Sequence, residues 1–341
     1  MDLLRKLLFP LSILYWAVTA VRNFLYDKGF FRSYGFPVPV IAVGNLSTGG
    51  TGKSPQTEYL IRLLSSQYRV ATLSRGYKRR SKGFVLADGQ CSAGTIGDEP
   101  FQFFTKFPNI RVAVDADRKN GIEKLLAMEP KPEVILLDDA YQHRRVKAGF
   151  YILLTAYGDL YADDFLLPAG NLREGRSGAK RANVIIVTKC PTGLSGAEQI
   201  EIRSKLRAAP GQKVYFTAIS YDDEVYSESG ARQVAAIRTM PKLLVAGIAK
   251  PKPFFDHLKK DGDIALTFPD HHDFTKSDLD EINKQANNKI IITTEKDYMR
   301  LKGRLPEDKL FYLPIKSRFL AGGDDFDKTI LDHVGTSTAN R

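Results

Sequence analysis

Asn45-Leu46-Ser47-Thr48-Gly49-Gly50-Thr51-Gly52-Lys53-Ser54 follows the apolar run Val38 to Val43 and is the stretch with the plainest chemical meaning. A buried strand that runs into a glycine-rich loop and then a helix points successive backbone N–H groups at phosphate oxygens. Ser47, Thr48, Gly49, Gly50, Thr51 and Gly52 would supply that cradle, Lys53 would reach the terminal phosphates, and the hydroxyl of Ser54 would hold Mg²⁺. The standard pattern has glycine five residues before Gly52, where this chain has Ser47, so the loop is a variant. A nucleoside triphosphate is the implied ligand.

A phosphate loop that does chemistry needs a second acidic residue at Mg²⁺, usually where a neighbouring buried strand ends. Val134-Ile135-Leu136-Leu137 followed by Asp138-Asp139 supplies it, with a cap or turn as the plainer role for one of the two. Gln142 and His143 follow in the same loop. In Gly97-Asp98-Glu99-Pro100, Asp98 reads either as a helix cap with proline in the first turn or as an acid/base carboxylate. Asp270-His271-His272-Asp273 could hold a general base near neutral pH, or could be a surface loop. As a metal site it is weak, because the two histidines are consecutive. Leu167 to Glu174 could carry Arg173 to a phosphate or leave it solvated, and Thr294-Glu295-Lys296-Asp297 could cap a helix or order a cleft.

Strands read at Arg69–Leu73, Val85–Ala87, Arg111–Val114, Val134–Leu137, Tyr151–Leu154 and Val184–Val187 alternate with helical stretches. That alternation predicts an α/β fold: a mostly parallel, P-loop NTPase-like sheet covered by helices on both faces. A smaller α/β domain is expected over 239–307, joined by linker strands at 213–238 and a returning strand and C-terminal tail at 308–341, frayed over Gly335 to Arg341. The phosphate-loop domain takes 29–212, and 1–28 forms a separate helical segment. That segment has a mostly apolar run of 15 residues between Lys6 and Arg22, interrupted by Pro10, which is short of the roughly 20 needed to span a bilayer. With basic and aromatic flanks it reads as a helix lying on a membrane surface, a buried first helix being the alternative.

The 341-residue chain carries a net charge of +11 and only two cysteines, Cys91 and Cys190. This argues against a disulfide framework and favours a reducing compartment. Basic clusters occur without any nucleic-acid recognition pattern, which favours a phosphorylated substrate over nucleic acid. No obligate protein partner is evident.

Taken together, these strings resemble the tetraacyldisaccharide 4'-kinase family, the lipid A disaccharide kinases. The likeness rests on Val43 to Pro55, Leu73-Ser74-Arg75-Gly76-Tyr77, Gly97 to Pro100, Asp138 to His143, Leu167 to Glu174, Ala246-Gly247-Ile248, Phe268 to His271 and Thr294 to Asp297. Ala140-Tyr141, Ser54 and Asn171 depart from the residues usual in the family. The resemblance implies transfer of the ATP γ-phosphoryl group to the 4'-hydroxyl of an acylated glucosamine disaccharide 1-phosphate. It further implies ATP and Mg²⁺ as cofactors and an anionic membrane surface as partner, at the cytoplasmic face of the inner membrane. By the same resemblance Asp98 and His271 form a catalytic pair, Ser54 with Asp138 or Asp139 holds Mg²⁺, and Asn45, Gln142, His143 and Arg173 line the sugar-phosphate side. The competing reading is a P-loop GTPase or ATPase switch, or a metallochaperone-type regulator. Against it, Pro191 stands where a guanine-reading aspartate is needed after Thr188-Lys189.

Overall fold

Strand β1 (Val40–Asn45) is buried along its whole length, as expected of a parallel strand with helices on both faces. The computed structural model describes residues 5, 7–270, 272–287 and 289–339. After β1 the chain forms β2 (Val70–Ser74), β3 (Val85–Leu86), β4 (Arg111–Val114), β5 (Val134–Asp138), β6 (Phe150–Ala156), β7 (Val184–Thr188) and β8 (Lys213–Tyr221). With β15 (Ile315–Phe319) these make a nine-stranded sheet of order β15-β8-β7-β6-β1-β5-β2-β4-β3. All its pairings are parallel except β3 on β4 and β15 on β8.

Helices cover both faces of this sheet because its strands are apolar on both sides. On one face, α2 (Lys53–Leu64) buries Leu60, Ile61 and Leu64 against Ile41 and Val43, and α3 (Asp98–Lys106) adds Phe103. On the other, α4 (Arg118–Leu126) buries Ile122 and Leu125, and α5 (Gly196–Leu206) buries Ile202 and Leu206. Asp117 caps α4 by accepting from the N–H groups of Lys119 and Asn120, as a short carboxylate at that position does.

A second lobe holds β9 (Glu224–Ser227), β10 (Gly230–Gln233), β11 (Lys242–Ala246), β12 (Ile264–Thr267), β13 (Ile290–Thr294) and β14 (Leu310–Leu313) in the order β10-β9-β14-β13-β11-β12. Helices α6 (Lys276–Ala286) and α7 (Glu295–Leu301) pack on one face of it. The stretch read as linker strands is divided between the lobes: β8 pairs with β7 in the first sheet, whereas β9 and β10 join the second.

The C-terminal stretch, read as a returning strand and a tail frayed over Gly335 to Arg341, is helical from Gly323 to Ala339. After β15 it forms helix α8 (Gly323–Ala339), with Phe326, Ile330 and Val334 fully buried on the first sheet. Their i, i+4, i+8 spacing puts them on one stripe, and burying each contributes about 1.5–3 kcal/mol. That outweighs the polar character of the other residues.

Candidate functional site

Val43 lies opposite Asp138 in the parallel β1–β5 pairing, so the chain leaves both strands at the same edge. Ligands of open α/β sheets bind at that carboxyl edge. Gly44 permits the crossing there, since a Cβ on it would meet the Cβ of Tyr141 at 2.7 Å. The phosphate loop is fastened from two sides. Thr48 N donates to Asn171 O at 2.7 Å, Arg173 N donates to Leu46 O at 2.7 Å, and Ser47 forms an antiparallel bridge with Leu172. From β7, Thr188 Oγ1 donates to Thr51 O at 2.7 Å and Lys189 Nζ donates to Gly50 O. Gly52, at φ +82°, turns the loop into α2, whose first residue is Lys53. Ser54 is the next residue and is half-buried.

The two aspartates sit in contrasting surroundings. Asp138 is buried and accepts from Thr57 Oγ1 at 3.1 Å. Burial and the charge of Asp139 push its carboxyl up to about 7. Asp139, at φ +47°, turns toward Lys53, 3.6 Å away, and accepts from Arg173 Nη1 at 3.1 Å. Burial works against its charge, yet Lys53 and Arg173 hold its carboxyl below the ordinary value. Two adjacent carboxylates beside a hydroxyl are hard oxygen donors of the kind Mg²⁺ takes when nucleotide phosphates complete its shell. The residues present therefore fit that cation. Among the described residues there is no cluster of three or more His, Cys, Asp or Glu that would hold a metal unaided.

On the other side of the loop, Gln142 Nε2 donates to Asn45 O at 2.8 Å and to Glu174 Oε1 at 3.1 Å. Asn45 is fully buried, with Nδ2 3.4 Å from Gly49 O. The Gln142 amide thus braces the start of the loop. His143 is half-buried, with no hydrogen-bond partner at its buried Nε2. Burial, with Arg118 next, pushes it down to about 4, so the ring is neutral at pH 7. Thr57 and Arg118 carry no motif, and the roles that Glu174 and Lys189 take here were not foreseen from the strings that contain them. Arg118 is buried and feels both aspartates. Lys189 marks itself only by a left-handed backbone, φ +58°.

Asp98 is the first residue of α3 rather than its cap, which is Gly97. Its carboxylate accepts from Arg300 Nη2 of the second lobe, and the charge of its neighbour Glu99 reaches Asp138. The Thr294 segment serves both of its expected roles. Thr294 caps α7, and Glu295 crosses to Lys106 of α3, 2.5 Å away. His271 lies outside the described residues.

Helix α1 (Phe9–Asp27) borders this site with an unusual polarity. Its bonds to the protein are polar. Ser12 Oγ donates to Leu166 O at 3.0 Å, Tyr15 Oη to Arg173 O at 2.9 Å, Arg22 to Gln142 O at 2.8 Å and Asn23 to Glu174 Oε2 at 2.7 Å. Leu11, Ile13, Leu14, Trp16, Val18, Val21 and Phe24 are exposed. Among the described residues no helix is long and apolar enough to cross a membrane.

Comparison with known proteins places these features in a family. The family described as tetraacyldisaccharide-1-P 4'-kinase (LpxK) matches residues 4–335. A tetraacyldisaccharide 4'-kinase of Flavobacterium johnsoniae is 61% identical over 334 residues, 98% of each chain. One of Bacteroides thetaiotaomicron is 45% identical over 361 residues, covering 99% of this chain and 95% of the relative. A crystal structure of LpxK from Aquifex aeolicus in complex with ATP superposes with a TM-score of 0.78 at 32% identity, covering 97% of this chain and 100% of that one.

Proposed function

The chain belongs to the tetraacyldisaccharide 4'-kinase family and is an ATP-dependent kinase of lipid A biosynthesis, and from this we propose how its residues carry out the transfer. Lys53 and the amides from Ser47 to Gly52 bind the β- and γ-phosphates and draw off the charge that develops on them. Ser54 and Asp138 hold Mg²⁺, while Asp139 is engaged by Lys53 and Arg173. When bound, the cation neutralises phosphate charge.

The 4'-oxygen of the acylated disaccharide 1-phosphate forms a bond to the γ-phosphorus as the bond to the β,γ-bridging oxygen breaks, and ADP leaves. The hydroxyl proton passes to Asp98, with His271 tuning that carboxylate as the family resemblance implies. Asn45, Gln142, His143 and Arg173 shape the acceptor side. The exposed apolar face of α1 rests on the lipid surface that holds the acylated substrate, on the cytoplasmic face of the inner membrane where ATP is available.

The observation that carries these assignments is Lys53 3.6 Å from Asp139, beside the phosphate loop, where β1 and β5 end together. The test supplies γ-labelled ATP, Mg²⁺ and the tetraacyldisaccharide 1-phosphate in mixed micelles. Label is expected at the 4' position, lost on chelation of divalent cations and reduced on the order of 100-fold or more in Lys53→Ala. Undiminished turnover in Lys53→Ala or in excess chelator would overturn the assignments.

A further inference from the structure

Helix α3 belongs by sequence to the nucleotide-binding lobe, yet both of its ends are fastened to α7 of the other lobe. At its N-terminal end Asp98 accepts from Arg300 Nη2. At its C-terminal end Lys106 Nζ lies 2.5 Å from Glu295 Oε1. The two helices therefore run antiparallel, and Phe101 between the two bridges packs on the second-lobe core that contains Tyr298, Met299 and Leu301. Lys106 also lies 2.7 Å from the buried Glu58 of α2, the helix that Lys53 begins. One ammonium thus ties the phosphate-loop helix, α3 and the second lobe together.

Arg300 is itself held before it reaches Asp98. Its Nη1 donates to His272 O at 3.3 Å and lies 3.9 Å from Asp297 Oδ1. Asp297 is fully buried and is fixed in turn by Gly247 N at 2.8 Å and Thr294 Oγ1 at 2.7 Å. The guanidinium is a planar fork: one arm engages its own lobe and the other crosses to the carboxylate.

Resting on the reading of Asp98 as the group that accepts the 4'-hydroxyl proton, we propose that Arg300 is a positioning residue for the phosphoryl transfer. By holding Oδ2 from the second lobe it restricts the rotation of the Asp98 side chain and so sets how the carboxylate is presented to the acceptor. A carboxylate on the first turn of a helix has several open rotamers, and only one aims at the substrate. Misplacing a reacting group by about 1 Å costs on the order of 100-fold in rate. A lysine at position 300 could reach the carboxylate but could not engage both lobes in one plane.

The test compares Arg300→Gln, Arg300→Lys, Asp98→Asn and the Asp98→Asn/Arg300→Gln double variant in the labelled-phosphate assay, with ATP affinity and melting temperature measured alongside. For Arg300→Gln, kcat is expected to fall about 10- to 100-fold, with ATP affinity and KM held within about twofold. Arg300→Lys should recover part of that loss, and the double variant should be no slower than Asp98→Asn alone. Unchanged kcat in Arg300→Gln beside an inactive Asp98→Asn would overturn the positioning role. So would a loss that falls on ATP affinity or melting temperature and not on kcat. Full turnover in Asp98→Asn would overturn the reading of Asp98, and the proposal with it.

Discussion

Asp138 and Asp139 are adjacent in sequence but sit in opposite electrostatic settings, because the left-handed turn at Asp139 swings one carboxylate toward Lys53 and Arg173 and leaves the other buried. Residue-scale chemistry here follows from backbone direction as much as from residue type. His143 offers a direct check on such an effect. Burial, with Arg118 beside it, lowers its pKa from 6.5 to about 4. The unfolded chain therefore binds the proton more readily than the fold does. The stability this group contributes is complete above pH 6.5 and is lost as pH falls from there toward 4. His143→Gln should flatten the fall in melting temperature across that window, by on the order of 2 °C after allowance for solvent screening. Parallel curves of melting temperature against pH for the two proteins would refute it. The phosphate loop and both aspartates were legible as residues because their chemistry imposes a fixed local spacing. Thr57 and Arg300 were not, nor was the role of Glu174 within its quoted loop, because each acts on a partner far away in sequence.

Among the elements, the clearest dependence is that of α1 on one buried carboxylate. Glu174 receives two hydrogen bonds from Arg181, at 2.9 and 2.7 Å, one from Asn23 of α1 at 2.7 Å, and one from Gln142 at 3.1 Å. Glu174→Ala leaves Arg181 without its partner in a site where Glu174 is 2% exposed. The expected cost is roughly 3–5 kcal/mol, read by urea denaturation, and α1 should become the first segment cut by limited proteolysis. A loss below about 1 kcal/mol, the range of an exposed ion pair, would contradict this account. The strands were legible from apolar runs that a two-sided parallel sheet requires. Helix α8 was not, because its three buried residues are spread over nine mostly polar positions and signal only through their spacing.

For the whole molecule, the division of strands between two sheets and the clamp from α3 to α7 depend on pairings that no local pattern encodes. The membrane-surface reading, by contrast, followed from composition and concerns the entire body. An apolar helix face on a chain of net charge +11 should bind anionic vesicles more tightly than neutral ones and release as salt is raised. Leu14→Glu/Trp16→Glu should lower vesicle sedimentation about tenfold or more while leaving the melting temperature within a few degrees. Equal sedimentation of the double variant and the unaltered protein would remove α1 from the contact.

The inverted polarity of α1 also sets which substitutions the helix can accept over time. In an ordinary surface helix the inward stripe is apolar and the outward side drifts freely among polar residues. Here Ser12, Tyr15, Arg22 and Asn23 each satisfy a named partner on the protein. Under the proposed lipid contact, the exposed positions 11, 14, 18 and 21 need only remain apolar. A saturation library of α1 selected for growth would therefore show interchange of leucine, isoleucine, valine and phenylalanine on the outside, and near invariance along a polar stripe within. That is the reverse of the tolerance map of a water-soluble helix.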